Sequence, residues 1–100
     1  GGVAEAIEKC IREYYPDVEV NIEHAEGLAE CKKTLALEKA GKMNGCLIEG
    51  MGCPGGCVAG AGTMQSIKKS QAQVHLYAKQ AKHKTSNETK HIKELEKLVD

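Results

Sequence analysis

Six of the eleven glycines in this chain of 100 residues fall between Gly50 and Gly62. Glycine is unfavourable inside helices and strands, so the stretch reads as a loop with regular structure on either side of it. One hundred residues support one domain with one modest core, which excludes a second catalytic domain. With no Trp, no Phe and three Tyr, that core must be aliphatic.

Before the loop, Val3, Ala6, Ile7, Cys10, Ile11 and Tyr14 recur at the spacing of one helical face and predict a helix ended by Pro16. Val18, Val20 and Ile22 alternate with Glu19, Asn21 and Glu23, the period-two pattern of a half-buried strand. Gly27 turns the chain. Leu28, Cys31, Leu35 and Ala36 mark a second amphipathic helix stopping at Gly41, and Cys46-Leu47-Ile48 reads as a short buried strand. Strand, helix and strand within about 30 residues is a βαβ unit, with parallel strands and a right-handed crossover. The glycine-rich loop then lies just past the carboxyl end of the second strand, where sites in open α/β sheets are built.

After the loop, Ile67, Gln71, Val74, Ala78 and Ala81 give a weaker helical stripe, with Thr63 as its N-cap. Thr85-Ser86-Asn87-Glu88 fits a capping box ahead of Ile92, Leu95, Leu98 and Val99, predicting a terminal helix over 86–99. The expected fold class is therefore α/β: a helix, then a βαβ unit with parallel strands, followed by one or two C-terminal helices.

Fourteen basic and fourteen acidic residues balance, so bulk charge points neither to nucleic acid nor to an acidic membrane surface. The acidic excess lies in residues 1–50 and the basic excess in 51–100. No apolar run has the roughly 18–20 residues of a membrane span and no signal peptide opens the chain, so a soluble, cytoplasmic protein is expected. An odd number of cysteines, five, argues against a closed disulfide framework and for a reducing compartment, free thiols or metal ligands. An opening Gly1-Gly2 in place of Met suggests a piece of a longer protein, or a cloning scar.

The chemistry lies in Glu49-Gly50-Met51-Gly52-Cys53-Pro54-Gly55-Gly56-Cys57-Val58-Ala59-Gly60-Ala61-Gly62. Two thiolates four residues apart can reach neighbouring irons of one cluster if the backbone between them curls tightly. Pro54 fixes one turn dihedral, and Gly55-Gly56 permit positive φ and leave room for a bulky inorganic group. Glycine also exposes amide N–H groups that can donate to cluster sulfurs. Structural zinc more often uses Cys-x2-Cys with a second ligand pair, and no such pair exists here. From the residues alone, a glycine-rich turn with two incidental thiols, a disulfide, and a small thiol-redox or zinc module all remain open.

Met51-Gly52-Cys53-Pro54-Gly55-Gly56-Cys57, followed by Gly60-Ala61-Gly62, resembles the last cysteine motif of the iron-only (di-iron) hydrogenases. Gly1-Gly2-Val3-x-Glu5-Ala6 resembles a motif at a helix start in that family, and Gly27-Leu28 through Gly41-Lys42 resembles its helix before the final strand. The resemblance assigns residues 1–82 to the C-terminal segment of the large-subunit domain and leaves 83–100 as a link and terminal helix.

It implies that Cys53 ligates the 4Fe-4S part of the hydrogen cluster. It implies that Cys57 ligates the same cubane and bridges to the di-iron unit, which makes Cys57 the catalytic position. Met51 would line the pocket beside that unit. The implied reaction is the reversible reduction of protons to dihydrogen. The implied partners are the remainder of the hydrogenase domain and a ferredoxin-like electron carrier, with no nucleic acid and no membrane. Gly52 for Ala, Ala61 within the glycine run and Thr63 for Gln depart from the family pattern and mark a divergent branch, catalytic or sensory. A cubane takes four ligands, and the family draws the others from upstream segments, so this chain alone is expected to bind no cluster and turn over no hydrogen. The alternative within the same fold is the hydrogenase-like iron–sulfur assembly and prelamin-recognition type, which lacks the di-iron unit.

Cys10, Cys31 and Cys46 fall on apolar stripes or the buried strand and read as packing residues. His24, His75, His83 and His91 lack the paired spacing of a metal site. Lys68, Lys69, Lys79, Lys82 and Lys84 read as solvated surface, or as a patch for an acidic electron carrier.

Overall fold

The structure is a computed structural model that describes residues 2–99. Its elements in chain order are α1 (Gly2–Tyr14), β1 (Asn21–Glu26), α2 (Leu28–Lys39), β2 (Cys46–Met51), α3 (Ile67–Lys79) and α4 (Ile92–Glu96). Short 3₁₀ turns occupy Cys57–Ala59 and Ser86–Glu88. The strands pair in parallel, from Asn21 opposite Cys46 to Glu26 opposite Met51. The expected α/β class holds: a helix, a βαβ unit with parallel strands, then C-terminal helices.

Element boundaries differ from the expectation in four places, one of them β2, which runs past Ile48 and takes in Gly50 and Met51 because its pairing with β1 continues to Glu26. Strand pairing begins at Asn21, so Val18 stays 53% exposed and Val20 only leads in. The Tyr15–Val18 turn, closed by the Val18 N–H on the Tyr15 carbonyl at 3.0 Å, keeps the chain from extending earlier. Strand β1 continues instead through His24-Ala25-Glu26, because its register with β2 carries it there. Helix α3 starts after Ser66 rather than Thr63, whose hydroxyl turns back to the Gly60 carbonyl at 2.9 Å.

The terminal helix is confined to Ile92–Glu96. At the expected capping box, the Glu88 carboxylate accepts from the Lys84 N–H at 3.1 Å, and the Thr85 hydroxyl is buried without a partner. Extended Thr89 then separates the 3₁₀ turn from the helix. The turn docks on α1 through Cys10 Sγ and Ser86 Oγ, 3.0 Å apart, and through the Asn87 amide donating to Glu13 at 3.1 Å.

Among the described residues the buried side chains are Ala4, Ala25 and Glu49. A two-stranded sheet covers only a narrow strip of each helix. Of the expected α2 stripe, Cys31 is half-buried while Leu28 and Leu35 face outward, and Val3 and Tyr14 of α1 do the same. The chain exposes 8213 Å², against about 5,500 Å² for a compact monomer of this mass. Its radius of gyration is 16.0 Å, where about 13 Å is usual for this length. Among the described residues, no helix is long and apolar enough to cross a membrane.

Candidate functional site

Strands β1 and β2 run parallel, so their carboxyl ends meet at one edge of the sheet, where Glu26 stands opposite Met51. The chain leaves β1 through Gly27, whose N–H donates to the Met51 carbonyl at 2.8 Å. Gly27 has φ +88, and a Cβ there would stand 3.3 Å from Pro54 Cγ. The start of α2 thus passes directly against the cysteine loop, and only glycine fits that approach.

The loop is a sequence of tight turns. The Gly56 N–H donates to the Cys53 carbonyl at 3.0 Å, with Pro54 and Gly55 (φ +91) at the corners. Proline at the second position and a positive-φ glycine at the third define a type II turn. A 3₁₀ turn follows, in which the amides of Ala59 and Gly60 return to the carbonyls of Gly56 and Cys57 at 3.0 and 3.1 Å. Both cysteines are free thiols, Cys53 half-buried and Cys57 exposed.

Side chains from two other elements hold the loop. The Gly55 N–H donates to Glu26 Oε2 at 2.9 Å, and Gln71 Nε2 from α3 donates to the Gly55 carbonyl at 2.9 Å. The loop amides are therefore less available than the glycine content suggests, since those of Gly55, Gly56, Ala59 and Gly60 already have acceptors inside the protein.

Met51, Cys57 and Gly55 line one cleft of about 740 Å³, closed on other sides by Val3 of α1, His24 of β1 and Val74 of α3. Cys53 is not among its lining residues; it sits at the entry to the turn. Met51 and Cys57 thus share a cavity wall, while Cys53 Sγ lies 3.9 Å from where a Cβ on Gly60 would stand. Cys31 is half-buried against the sheet, its thiol 3.6 Å from the Ala25 carbonyl and 3.7 Å from that of Met51.

Glu49, two residues before Met51, joins three elements. Its Oε2 accepts the Ala4 N–H at 2.8 Å, which fixes the first turn of α1 to β2, and its Oε1 lies 3.3 Å from His24 Nδ1. The Ala4 hydrogen bond holds the Glu49 carboxyl below the usual carboxylate range, against the opposing effect of burial, and His24 adds to the lowering. The sequence reading missed the roles of Glu49, Glu26 and Gln71. The sequence placed acids in both strands and a Gln within an otherwise apolar helical stripe, but the partners of these residues lie 16 to 45 positions away.

The donor set fits half of an iron–sulfur ligand sphere. Two thiols on a glycine-lined turn suit a cubane, which takes four ligands. Among the described residues, no group of three or more His, Cys, Asp or Glu converges on one point. A family model, iron only hydrogenase large subunit, C-terminal domain, matches residues 1–61. No curated protein and no solved structure matches the chain. The match covers α1 through the cysteine loop and ends before α3.

Proposed function

The chain belongs to the iron-only hydrogenase large subunit, C-terminal domain family, and from that membership we propose that it supplies Cys53 and Cys57 to the iron–sulfur centre of a hydrogenase catalytic domain. The observation that carries this reading is the pair of free thiols, Cys53 opening the type II turn and Cys57 directly following it, at the carboxyl edge of the parallel strands. When bound, the centre, a 4Fe-4S cluster linked to a di-iron unit, would relay electrons from a carrier and offer the metal position for reversible reduction of protons to dihydrogen.

This chain's part is to hold and enclose. Cys53 and Cys57 would be the ligands, and the family resemblance gives Cys57, which lines the cleft, the catalytic position. Met51 and Val74 supply apolar wall on the same cleft. The exposed apolar faces of α1 and α2 are the surfaces that the remainder of the hydrogenase domain covers, and that remainder brings the missing ligands. Residues 1–82 form the hydrogenase segment and 83–100 an appended link and helix. A ferredoxin-like carrier delivers electrons to the assembled protein, and the chain acts on hydrogen only as part of it.

The test is iron content and hydrogen evolution in the intact, matured protein. Cys57→Ala and Cys53→Ala should each remove most of the iron and all hydrogen evolution, whereas Cys10→Ser should leave both within about twofold of the wild type. Full iron loading in Cys57→Ala would refute the ligand assignment. A wild-type protein that loads a cubane yet evolves no hydrogen would favour the iron–sulfur protein without a di-iron unit.

A further inference from the structure

Gly55 lies between the two cysteines, and both polar groups of the residue are engaged by side chains distant in sequence. Glu26 takes its N–H and Gln71 donates to its carbonyl, each at 2.9 Å. The third constraint is steric. A Cβ on Gly55 would stand 3.0 Å from Ile67 Cγ2 and 3.2 Å from Ala59 Cβ, so the first turn of α3 presses on the loop where it carries no side chain. Glu26 is itself held. Its own N–H donates to Glu30 Oε2 at 2.9 Å, and it closes the strand register opposite Met51.

We infer that Glu26 and Gln71 are positioning residues that clamp the Gly55 backbone and thereby set how Cys53 and Cys57 present their sulfurs. The clamp joins β1, the turn and α3, so it draws α3, which lies outside the matched region, into the geometry of the ligand loop. Its two halves have opposite hydrogen-bond polarity. Glu26 must accept, which a glutamine can also do through its amide oxygen. Gln71 must donate, which an ionised glutamate cannot. Isosteric exchange is therefore tolerated at one position and not at the other.

The inference concerns the same loop as the ligand reading, and it rests on that reading only for its consequence at the metal. The experiment has two arms on the intact protein. In the first, the protein is prepared without its cluster and amide hydrogen exchange is followed at Gly55, Gly56 and the strand residues. Glu26→Ala should accelerate exchange at Gly55 about tenfold, the equivalent of ~1.4 kcal/mol for one solvent-exposed hydrogen bond, whose charge water screens. Gln71→Glu should accelerate the loop amides about threefold, and Glu26→Gln should stay within twofold of the wild type. Unchanged loop exchange in Glu26→Ala or Gln71→Glu overturns the clamp, as does an equal rise at Ile22 and Ile48.

In the second arm, the matured protein is reduced and its electron paramagnetic resonance recorded. Glu26→Ala and Gln71→Glu should broaden or shift the cluster signal, with the wild-type signal restored in Glu26→Gln. Wild-type signals in all three variants would overturn the positioning role. If Cys57→Ala keeps its iron while the exchange results hold, the ligand reading fails and the clamp stands. If Cys57→Ala loses its iron while loop exchange is unchanged in the clamp variants, the clamp fails and the ligand reading stands.

Discussion

Glu49→Gln isolates the contribution of one buried charge to the docking of α1. The substitution keeps the shape of the side chain and an oxygen for the Ala4 N–H, and removes only the negative charge. A hydrogen bond to a charged acceptor contributes about 1.5–3 kcal/mol and a neutral one about 0.5–1.5, so the difference is about 1 kcal/mol. An anion in the first turn of a helix adds about 0.5–1 kcal/mol through the axial dipole. Against these stands the hydration that the carboxylate gives up on burial. The lowered pKa of Glu49 fixes the sign of the balance, because the charged form is favoured in the folded state over the unfolded one.

Glu49→Gln should therefore cost about 1–2 kcal/mol at neutral pH. With a urea dependence of about 1–1.5 kcal/mol/M for a chain of this size, the midpoint of denaturation falls by about 1 M. The same logic sets the pH dependence. The folded pKa lies below the ordinary value of 4.5, so the stabilisation is complete above that value and is lost as the pH falls through the depressed folded one. The gap between wild type and variant should be constant from neutral to mildly acidic pH and then close. Urea titrations followed by circular dichroism at stepped pH values would measure it. Equal midpoints at pH 7, or a gap that widens toward acid, would refute the reasoning.

Two further substitutions test the cysteine loop. Gly55→Ala forces a side chain into the left-handed region at φ +91 and against Ile67, costing about 2–3 kcal/mol in strain and overpacking; thermal denaturation and iron loading should both decline, and unaltered values of both would contradict the turn geometry. Gly27→Ala, at φ +88 with Pro54 Cγ 3.3 Å from the added Cβ, should cost about 1–3 kcal/mol and loosen exchange at the Cys53–Gly56 turn, and a variant as stable as the wild type would show that α2 does not press on the loop.

The parallel strands were legible because Cys46-Leu47-Ile48 and the alternating run around Ile22 flank a segment of helical length. The type II turn was legible as well, since Pro54-Gly55 is its sequence signature. The exact extent of β1 was not. Its last half, His24-Ala25-Glu26, carries no apolar alternation, and its strand conformation comes from pairing with β2. The terminal helix was overcalled for a related reason: Thr85 and Glu88 satisfy the local capping pattern, yet the segment is spent on contacts with α1 across 74 and 76 positions of sequence. At the site, the cysteines announced themselves through spacing, whereas Glu26, Glu49 and Gln71 act through long-range hydrogen bonds that no local window contains.

The sheet is a ribbon of two parallel strands among the described residues, and such ribbons have little independent stability. Among the described residues β1 and β2 pair in the sheet with each other alone, so both are edge strands. Met51 ends β2 and leads into the cysteine turn, and Glu26, which ends β1, accepts the Gly55 N–H of that turn. A change in the pairing of either strand would therefore reach the cysteine turn through those two residues.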